Sequence, residues 1–159
     1  MEAYLMEKMN MKTVGLGDGH ALTGARISMK DAKRVTFAVL VGAGNTETAF
    51  AVGLRQHNAA SAGTSTALSV ANKYFTKIAA ATLFTAVEPT VAADSYNLHA
   101  DFADNVGVVV FEVLAADLDH VNGYDWVSVD VSGAGTTTRT VAITGIIDDN
   151  FKPSYGNDI

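Results

Sequence analysis

Apolar residues along most of this chain alternate with small or polar ones, which is the spacing of β-strands and not of helices. The segment 35–41 reads VTFAVLV, and its odd-numbered side chains are all large and apolar, so they would share one face of a strand. The same alternation returns at 50–56. Because the turn-forming Gly42-Ala43-Gly44-Asn45 lies between the two segments, the sequence predicts a hairpin from Val35 to His57.

Further short segments with strand character follow, and no long helical pattern separates them. They are residues 74–78, 82–87, 96–102, 107–114, 124–131 and 138–147. A single helical or 3₁₀ turn is expected at 115–120. Short strands separated by turn residues are typical of antiparallel folds, so we predict an all-β protein, an antiparallel β-sandwich or β-barrel of seven to eight short strands.

The length fits a single domain with irregular ends. At 159 residues and 16.6 kDa, the chain can bury one sizeable core. We divide it into an N-terminal arm at 1–20, a β domain at 21–150 and a C-terminal tail at 151–159. The glycine-rich segment 15–19 lacks the Gly-Lys-Ser/Thr ending of a phosphate-binding loop, and we expect it to be a flexible loop at the entry to the domain.

Composition removes several classes of partner and cofactor. The net charge is −6, with 17 acidic and 11 basic residues, so clustered cations for nucleic acid are not expected. There are no cysteines, which excludes disulfides and thiolate metal sites. No apolar run approaches the roughly 20 residues that span a bilayer, and charged residues interrupt the N-terminal segment where a signal peptide would need an apolar stretch. We expect no nucleic-acid or membrane partner, no secretion and no cofactor.

The sequence offers three candidate sites, each with a plainer interpretation. No His-x-His pair occurs among His20, His57, His99 and His120. The acidic cluster Asp117-Leu118-Asp119, next to His120, could bind a metal or act in acid–base chemistry if Asp148 and Asp149 lay nearby; alternatively, its carboxylates cap turns.

Glu112 and Trp126 are the other two candidates. Glu112 lies within an apolar strand, where it would be either a perturbed carboxylate or the partner of Arg55 or Arg139. Trp126 would be either a sugar-stacking platform or a partly buried rim aromatic. No Gly-x-Ser-x-Gly motif is present, and we assign no catalytic residue and no metal ligand, so the chain is expected not to be an enzyme.

Apolar residues outside the predicted strands indicate where a partner could bind. They are Leu5, Met6 and Met9 in the arm, with Phe151 and Tyr155 in the tail. Segments of this kind can dock on a neighbour or add a strand to its sheet.

The order of these segments resembles that of small virion structural proteins from tailed bacteriophages, of the head decoration or cement type. The similarity spans about residues 24 to 153. The stretches that carry it are Ile27-Ser28-Met29-Lys30, Arg34-Val35-Thr36-Phe37, Val41-Gly42-Ala43-Gly44, Val110-Phe111-Glu112-Val113, Ala116-Asp117-Leu118-Asp119 and Gly123-Tyr124-Asp125.

This resemblance implies a protein that binds the outer surface of a capsid and stabilises the lattice of the major capsid protein. It further implies a symmetric homo-oligomer, a trimer or another ring, made in the host cytoplasm and located on the virion. The alternative is a phage tail or fibre component with a carbohydrate-binding role.

Overall fold

Two antiparallel β-sheets enclose a single apolar core. The computed structural model describes residues 10–19, 21–43, 49–69, 74–79, 81–88, 95–97, 102, 105–134 and 139–149. Sheet A has the strand order β1-β12-β4-β10-β7-β8. Its strands are β1 (Asn10–Gly19), β12 (Arg139–Asp149), β4 (Ala32–Val41), β10 (Gly107–Leu114), β7 (Tyr74–Ile78) and β8 (Thr85–Val87).

Sheet B is built on two long central strands with pairs of short strands beside them. Strands β11 (Trp126–Ala134) and β5 (Ala49–His57) pair along their length. β2 (Ala21–Thr23) and β3 (Ile27–Ser28) pair with β11, while β6 (Ser65–Ala67) and β9 (Ser95–Asn97) pair with β5. The predicted all-β antiparallel sandwich is therefore confirmed, although the described residues form twelve strands and not seven to eight. The barrel alternative is not confirmed, because sheet A ends in β1 and β8.

The core lies between the sheets and consists of the inward residues of the alternating strands. Phe37 and Phe111 pair across β4 and β10, and both are fully buried. The Tyr74 ring stacks on Phe111 with the ring centroids 5.4 Å apart. Each buried aromatic or branched side chain contributes about 1.5–3 kcal/mol relative to an exposed one, so this layer stabilises the sandwich without disulfides.

The predicted hairpin from Val35 to His57 is wrong, although both of its strands exist. β4 has β12 and β10 as its two neighbours in sheet A, whereas β5 lies in sheet B. The chain thus changes sheets between Val41 and Ala49. Alternation shows that a strand has one buried face. It does not show whether the next strand along the chain pairs with it in the same sheet or lies in the opposite sheet.

The glycine-rich segment 15–19 is not the expected entry loop. Residues 10–19 of the predicted arm form β1, which pairs antiparallel with β12 from Asn10 opposite Ile147 to Gly19 opposite Arg139, with one irregularity between Thr13 and Gly15. A Cβ on Gly15 would meet Leu22 at 3.1 Å and Ile143 at 3.3 Å. Glycine at this position allows the neighbouring side chains to approach the strand closely.

Two short 3₁₀ turns connect β10 to β11, where the sequence predicted a single turn at 115–120. They span Ala115–Asp117 and His120–Asn122. In the described part of the chain, no helix is long and apolar enough to span a membrane.

Candidate functional site

An apolar patch covers the middle of the outer face of sheet A. We call it the apolar face and define it by Ala38 and Leu40 of β4, Val108 and Val110 of β10, Phe75 of β7, and Phe84 just before β8. Register places these strand residues in adjacent rows, with Val108 opposite Leu40, and Val110 opposite both Ala38 and Phe75.

The apolar face is substantially exposed. Leu40 is 49% exposed, Phe75 is 39% and Phe84 is 51%. It exists because β4 and β10 are apolar on both sides: the segments VTFAVLV and VVVFEVL fill the core with one set of side chains and present the other set outward. A contiguous exposed apolar patch of this kind commonly marks an interaction site in a protein that otherwise follows inside–outside patterning.

One end of this outer face carries a row of three charged side chains. Arg34 lies between two carboxylates, with Nη1 3.3 Å from Glu112 Oε2 and Nη2 3.0 Å from Asp148 Oδ2. Glu112 is therefore an ion-paired surface carboxylate, as the second interpretation of its sequence position held, but its partner is Arg34 and not Arg55 or Arg139. Two acids around one base leave this end of the face with a negative balance.

The opposite end of the face carries a positive charge. Lys77 of β7 is opposite Val108, and its ammonium lies 5.8 Å from the centroid of the Phe84 ring. Lys77 and the Glu112–Arg34–Asp148 row therefore lie on opposite sides of the apolar face along the strand direction.

Both terminal segments join sheet A at its negatively charged end. β1 begins at Asn10, which is opposite Ile147, and β12 ends at Asp149, which is opposite Ala32. The predicted partner-binding residues Leu5, Met6, Met9, Phe151 and Tyr155 lie outside the described residues. The segments that contain them nevertheless begin from neighbouring strands at the same end of the sheet.

A buried polar relay lies on the outer side of sheet B. The His57 Nε2 and Ser128 Oγ atoms are 2.9 Å apart, the Ser128 hydroxyl donates to Asp130 Oδ1 over 3.5 Å, and Arg55 Nε lies 2.8 Å from Asp130 Oδ2. His57 is only 3% exposed. The loop that follows it is tethered by Arg26, whose Nη1 donates to the carbonyl oxygens of Ala59 and Ala62.

Burial shifts the pKa values of this relay away from charge. Desolvation, reinforced by the positive charges of Arg26 and Arg55, lowers the pKa of His57 from 6.5 to about 4. Desolvation raises the pKa of Asp130, and the attraction of Arg55 opposes that shift. His57 is therefore neutral at physiological pH.

The relay does not have the arrangement of a catalytic triad. Ser128 is fully buried, and the buried His57 Nδ1 has no hydrogen-bond partner among the described residues, so no carboxylate orients the imidazole. The charged groups of the relay, Asp130 and Arg55, lie next to Ser128 and not next to the free nitrogen of His57. This arrangement holds β5 and β11 together through side chains as well as through the backbone.

The predicted acidic cluster caps the 3₁₀ turns. Asp117 Oδ2 accepts from the Leu114 amide at 2.9 Å, and Asp119 is the N-cap of the second turn, with its carboxylate accepting from the Asn122 amide and side chain. Asp148 does not join this corner, because it is paired with Arg34. Among the described residues, no group of three or more potential ligands is arranged to bind a metal ion.

His120 links the two ends of the β10–β11 connection. Its Nδ1 lies 2.7 Å from Asp125 Oδ1, and its Nε2 lies 2.7 Å from the Ala115 carbonyl oxygen. Both partners only accept hydrogen bonds, so the doubly protonated imidazolium satisfies both contacts. The hydrogen bond to Asp125 raises the pKa of His120, and the same bond lowers the pKa of Asp125, which also lies 3.6 Å from Lys30.

Trp126 is half-buried at the start of β11, opposite Ser28 of β3 and His57 of β5. Trp126, Ser128 and Asp130 share one side of β11, because alternate residues of a strand point to the same face. Sequence reasoning missed the relay, because His57 and Ser128 are far apart in sequence and meet only through the pairing of β5 with β11. It also missed the apolar face, although the double-sided apolar character of 107–114 was a signal for it.

Comparisons with known proteins give one structural similarity. No family model matches the chain, and no curated protein matches it. Among solved structures, the chain is similar to the crystal structure of the SPBc2 prophage-derived protein YomS, with 12% identity and a TM-score of 0.42 over 87% of this chain and 91% of that one. A TM-score below 0.5 is not evidence of a shared fold.

Proposed function

We propose that this chain is a non-enzymatic virion structural protein of the capsid decoration type. In this role it binds the major capsid protein on the outside of the head and stabilises the lattice. The observation that carries the proposal is the apolar face of sheet A, which has at one end the two strands from which the terminal segments depart. A broad apolar face and two adjacent terminal segments form an extended contact surface and not a pocket.

The chemistry of the described polar clusters supports a structural role. His57, Ser128 and Asp130 connect strands, while Asp117 and Asp119 cap turns, so each is accounted for by the stability of the fold. A decoration protein acts through many weak contacts repeated over a symmetric lattice, and it needs surface more than it needs reactive groups.

Binding to capsids tests the proposal directly. Capsids assembled without this chain would be mixed with purified protein and sedimented, and the bound fraction would be imaged by electron microscopy. We expect saturable binding at symmetric positions on the outer surface and a higher temperature of capsid disruption. Failure to bind, or a location in the tail, would contradict the proposed function.

Deletion variants test the part assigned to the terminal segments. Removal of residues 1–9 or of 151–159 leaves β1 and β12 intact, since these strands span Asn10–Gly19 and Arg139–Asp149. We expect each deletion to weaken capsid binding without lowering the unfolding temperature. Unchanged binding in both variants would show that Leu5, Met6, Met9, Phe151 and Tyr155 are not partner contacts.

A further inference from the structure

We propose that the apolar face is a self-association surface on which a second copy of this chain packs face to face about a two-fold axis. The inference rests on the proposed function and extends it: the apolar face contacts a second copy, which leaves the terminal segments at its end to contact the capsid protein. Two observations favour a second copy as the occupant: the size of the face and the distribution of charge at its two ends.

The outer face of sheet A, with the apolar face in its middle, is close in size to what a stable dimer requires. Neighbouring strands lie about 4.8 Å apart and rise about 3.4 Å per residue, so its six strands of three to eleven residues cover roughly 770 Å² before side-chain relief is added. A specific interface typically buries about 800 Å² on each partner. Leu83, which is 79% exposed next to Phe84, extends the apolar area at the rim.

The charges on the face complement themselves under a two-fold rotation. We place the axis along the row formed by Phe75, Val110 and Ala38, which register aligns across three strands. Rotation about this axis exchanges the row that contains Lys77 with the row that contains Glu112. The ammonium of each copy then meets the carboxylate of the other, and the apolar side chains between them are buried together.

The same geometry disfavours a parallel arrangement. A copy related by a two-fold axis along the strands would keep each row over the same row, so the Lys77 row would face itself and the Glu112–Asp148 end would face itself. Like charges opposed across a desolvated surface cost affinity, so the charge pattern selects the axis that runs across the strands. Isologous contacts of this type are the commonest in homo-oligomers.

Substitution of Leu40, a large and half-exposed residue of the apolar face, tests the surface. Analytical ultracentrifugation over a concentration series should show a dimer for the unchanged protein, and Leu40→Glu should raise the dimer dissociation constant by about tenfold or more, since it buries a charge in each half of the interface. Val121→Glu is the matched control, because Val121 is 97% exposed on the second 3₁₀ turn and away from the face. We expect this control to dimerise normally, and both variants to keep the unfolding temperature of the monomer.

A charge exchange tests the orientation of the two copies. Lys77→Glu and Glu112→Lys should each weaken the dimer, and the double variant should recover most of the lost affinity, because opposite charges meet again across the axis. A purely structural role of either residue would not produce this recovery. Failure of the double variant to recover would overturn the two-fold geometry.

The outcomes separate this inference from the proposed function. A protein that is monomeric at all concentrations, or a Leu40→Glu variant that still dimerises, would overturn the self-association surface. If the monomer binds capsids and Leu40→Glu abolishes that binding, the face belongs to the capsid protein and the inference is wrong while the proposed function stands. A dimer that Leu40→Glu weakens but that does not bind capsids would support the self-association surface and contradict the proposed function.

Discussion

The two histidines that the structure describes, His57 and His120, respond to protons in opposite directions because their surroundings differ. His57 is buried near two arginines and stays neutral. His120 lies between a carboxylate and a carbonyl oxygen and favours the charged form. Their effects on stability therefore lie on opposite sides of the ordinary histidine pKa, and each can be isolated by substitution.

Acid should destabilise the protein through His57. The unfolded chain binds this proton near pH 6.5, whereas the folded protein binds it near pH 4, so protonation favours unfolding as the pH falls through that interval. The contribution amounts to about 3 kcal/mol of unfolding free energy lost across the window. Urea denaturation across this pH range should show the loss in the unchanged protein and a shallower dependence in His57→Gln. Equal slopes in both proteins would contradict the prediction.

A rise in pH should destabilise the protein through His120. Its pKa is raised in the folded state, so its contribution is fully present below pH 6.5 and is lost as the pH rises through the folded value. Because the side chain is partly exposed, we expect the effect on the unfolding free energy to be no more than about 1 kcal/mol. A pH series on His120→Gln should lack this loss. If the variant and the unchanged protein decline in parallel, the Asp125 contact does not contribute.

At the scale of the elements, some glycines lie so close to a neighbouring segment that a larger residue would collide with it. The pattern of apolar and polar residues does not reveal these positions. Gly24 lies between β2 and β3 and donates its amide to the Val129 carbonyl oxygen at 2.9 Å. A Cβ at Gly24 would lie 2.6 Å from that same oxygen. At Gly145 of β12, a Cβ would lie 2.3 Å from Cδ1 of Ile27, which is the end of a flexible side chain.

These two glycines form a matched pair for substitution. Gly24→Ala should lower the unfolding free energy by about 1–3 kcal/mol, because the backbone of β11 has no room to move. Gly145→Ala should cost less, since the Ile27 side chain can adopt another rotamer. Thermal and urea unfolding of both variants would measure the difference. A larger loss for Gly145→Ala would show that the packing around Ile27 is the more rigid of the two.

The sequence predicted individual strands well and their neighbours poorly. The predicted strands at 74–78 and 107–114 match β7 and β10 at both bounds. The alternation over 35–41 falls within β4, because a strand with one buried face has a period of two. The same alternation could not show that β4 and β5 lie in different sheets. That choice depends on which distant strands compete for each edge, and β12 and β10 occupy both edges of β4.

The candidate site shows the same division between local and distant information. Turn capping by Asp117 and Asp119 was among the interpretations that the sequence left open, because a cap acts within a few residues. The partner of Glu112 was not predicted correctly, since Arg34 reaches it only through the register of β4 with β10. The apolar face likewise required the alignment of three strands.

At the scale of the whole molecule, β1 belongs to the body of the domain as much as any strand. It pairs with β12 along its length, although its sequence is rich in glycine and it falls within the predicted arm at 1–20. The arm and the body are therefore separable by experiment only upstream of Asn10.

Two truncations should differ sharply for this reason. Deletion of residues 1–9 should leave the unfolding temperature unchanged, whereas deletion of 1–19 should lower it by several degrees or cause aggregation, because β12 would lose its neighbour and expose an unpaired edge. Circular dichroism melts and sedimentation would measure both effects. A stable, monodisperse 20–159 fragment would show that β1 is dispensable.

The pairing of β1 with β12 has a consequence for synthesis on the ribosome. These two strands come from opposite ends of the described chain, and β12 also separates β1 from β4. During translation, β1 has to wait for its partner until β12 has been synthesised and has left the exit tunnel. Sheet A is therefore completed as a late, long-range event.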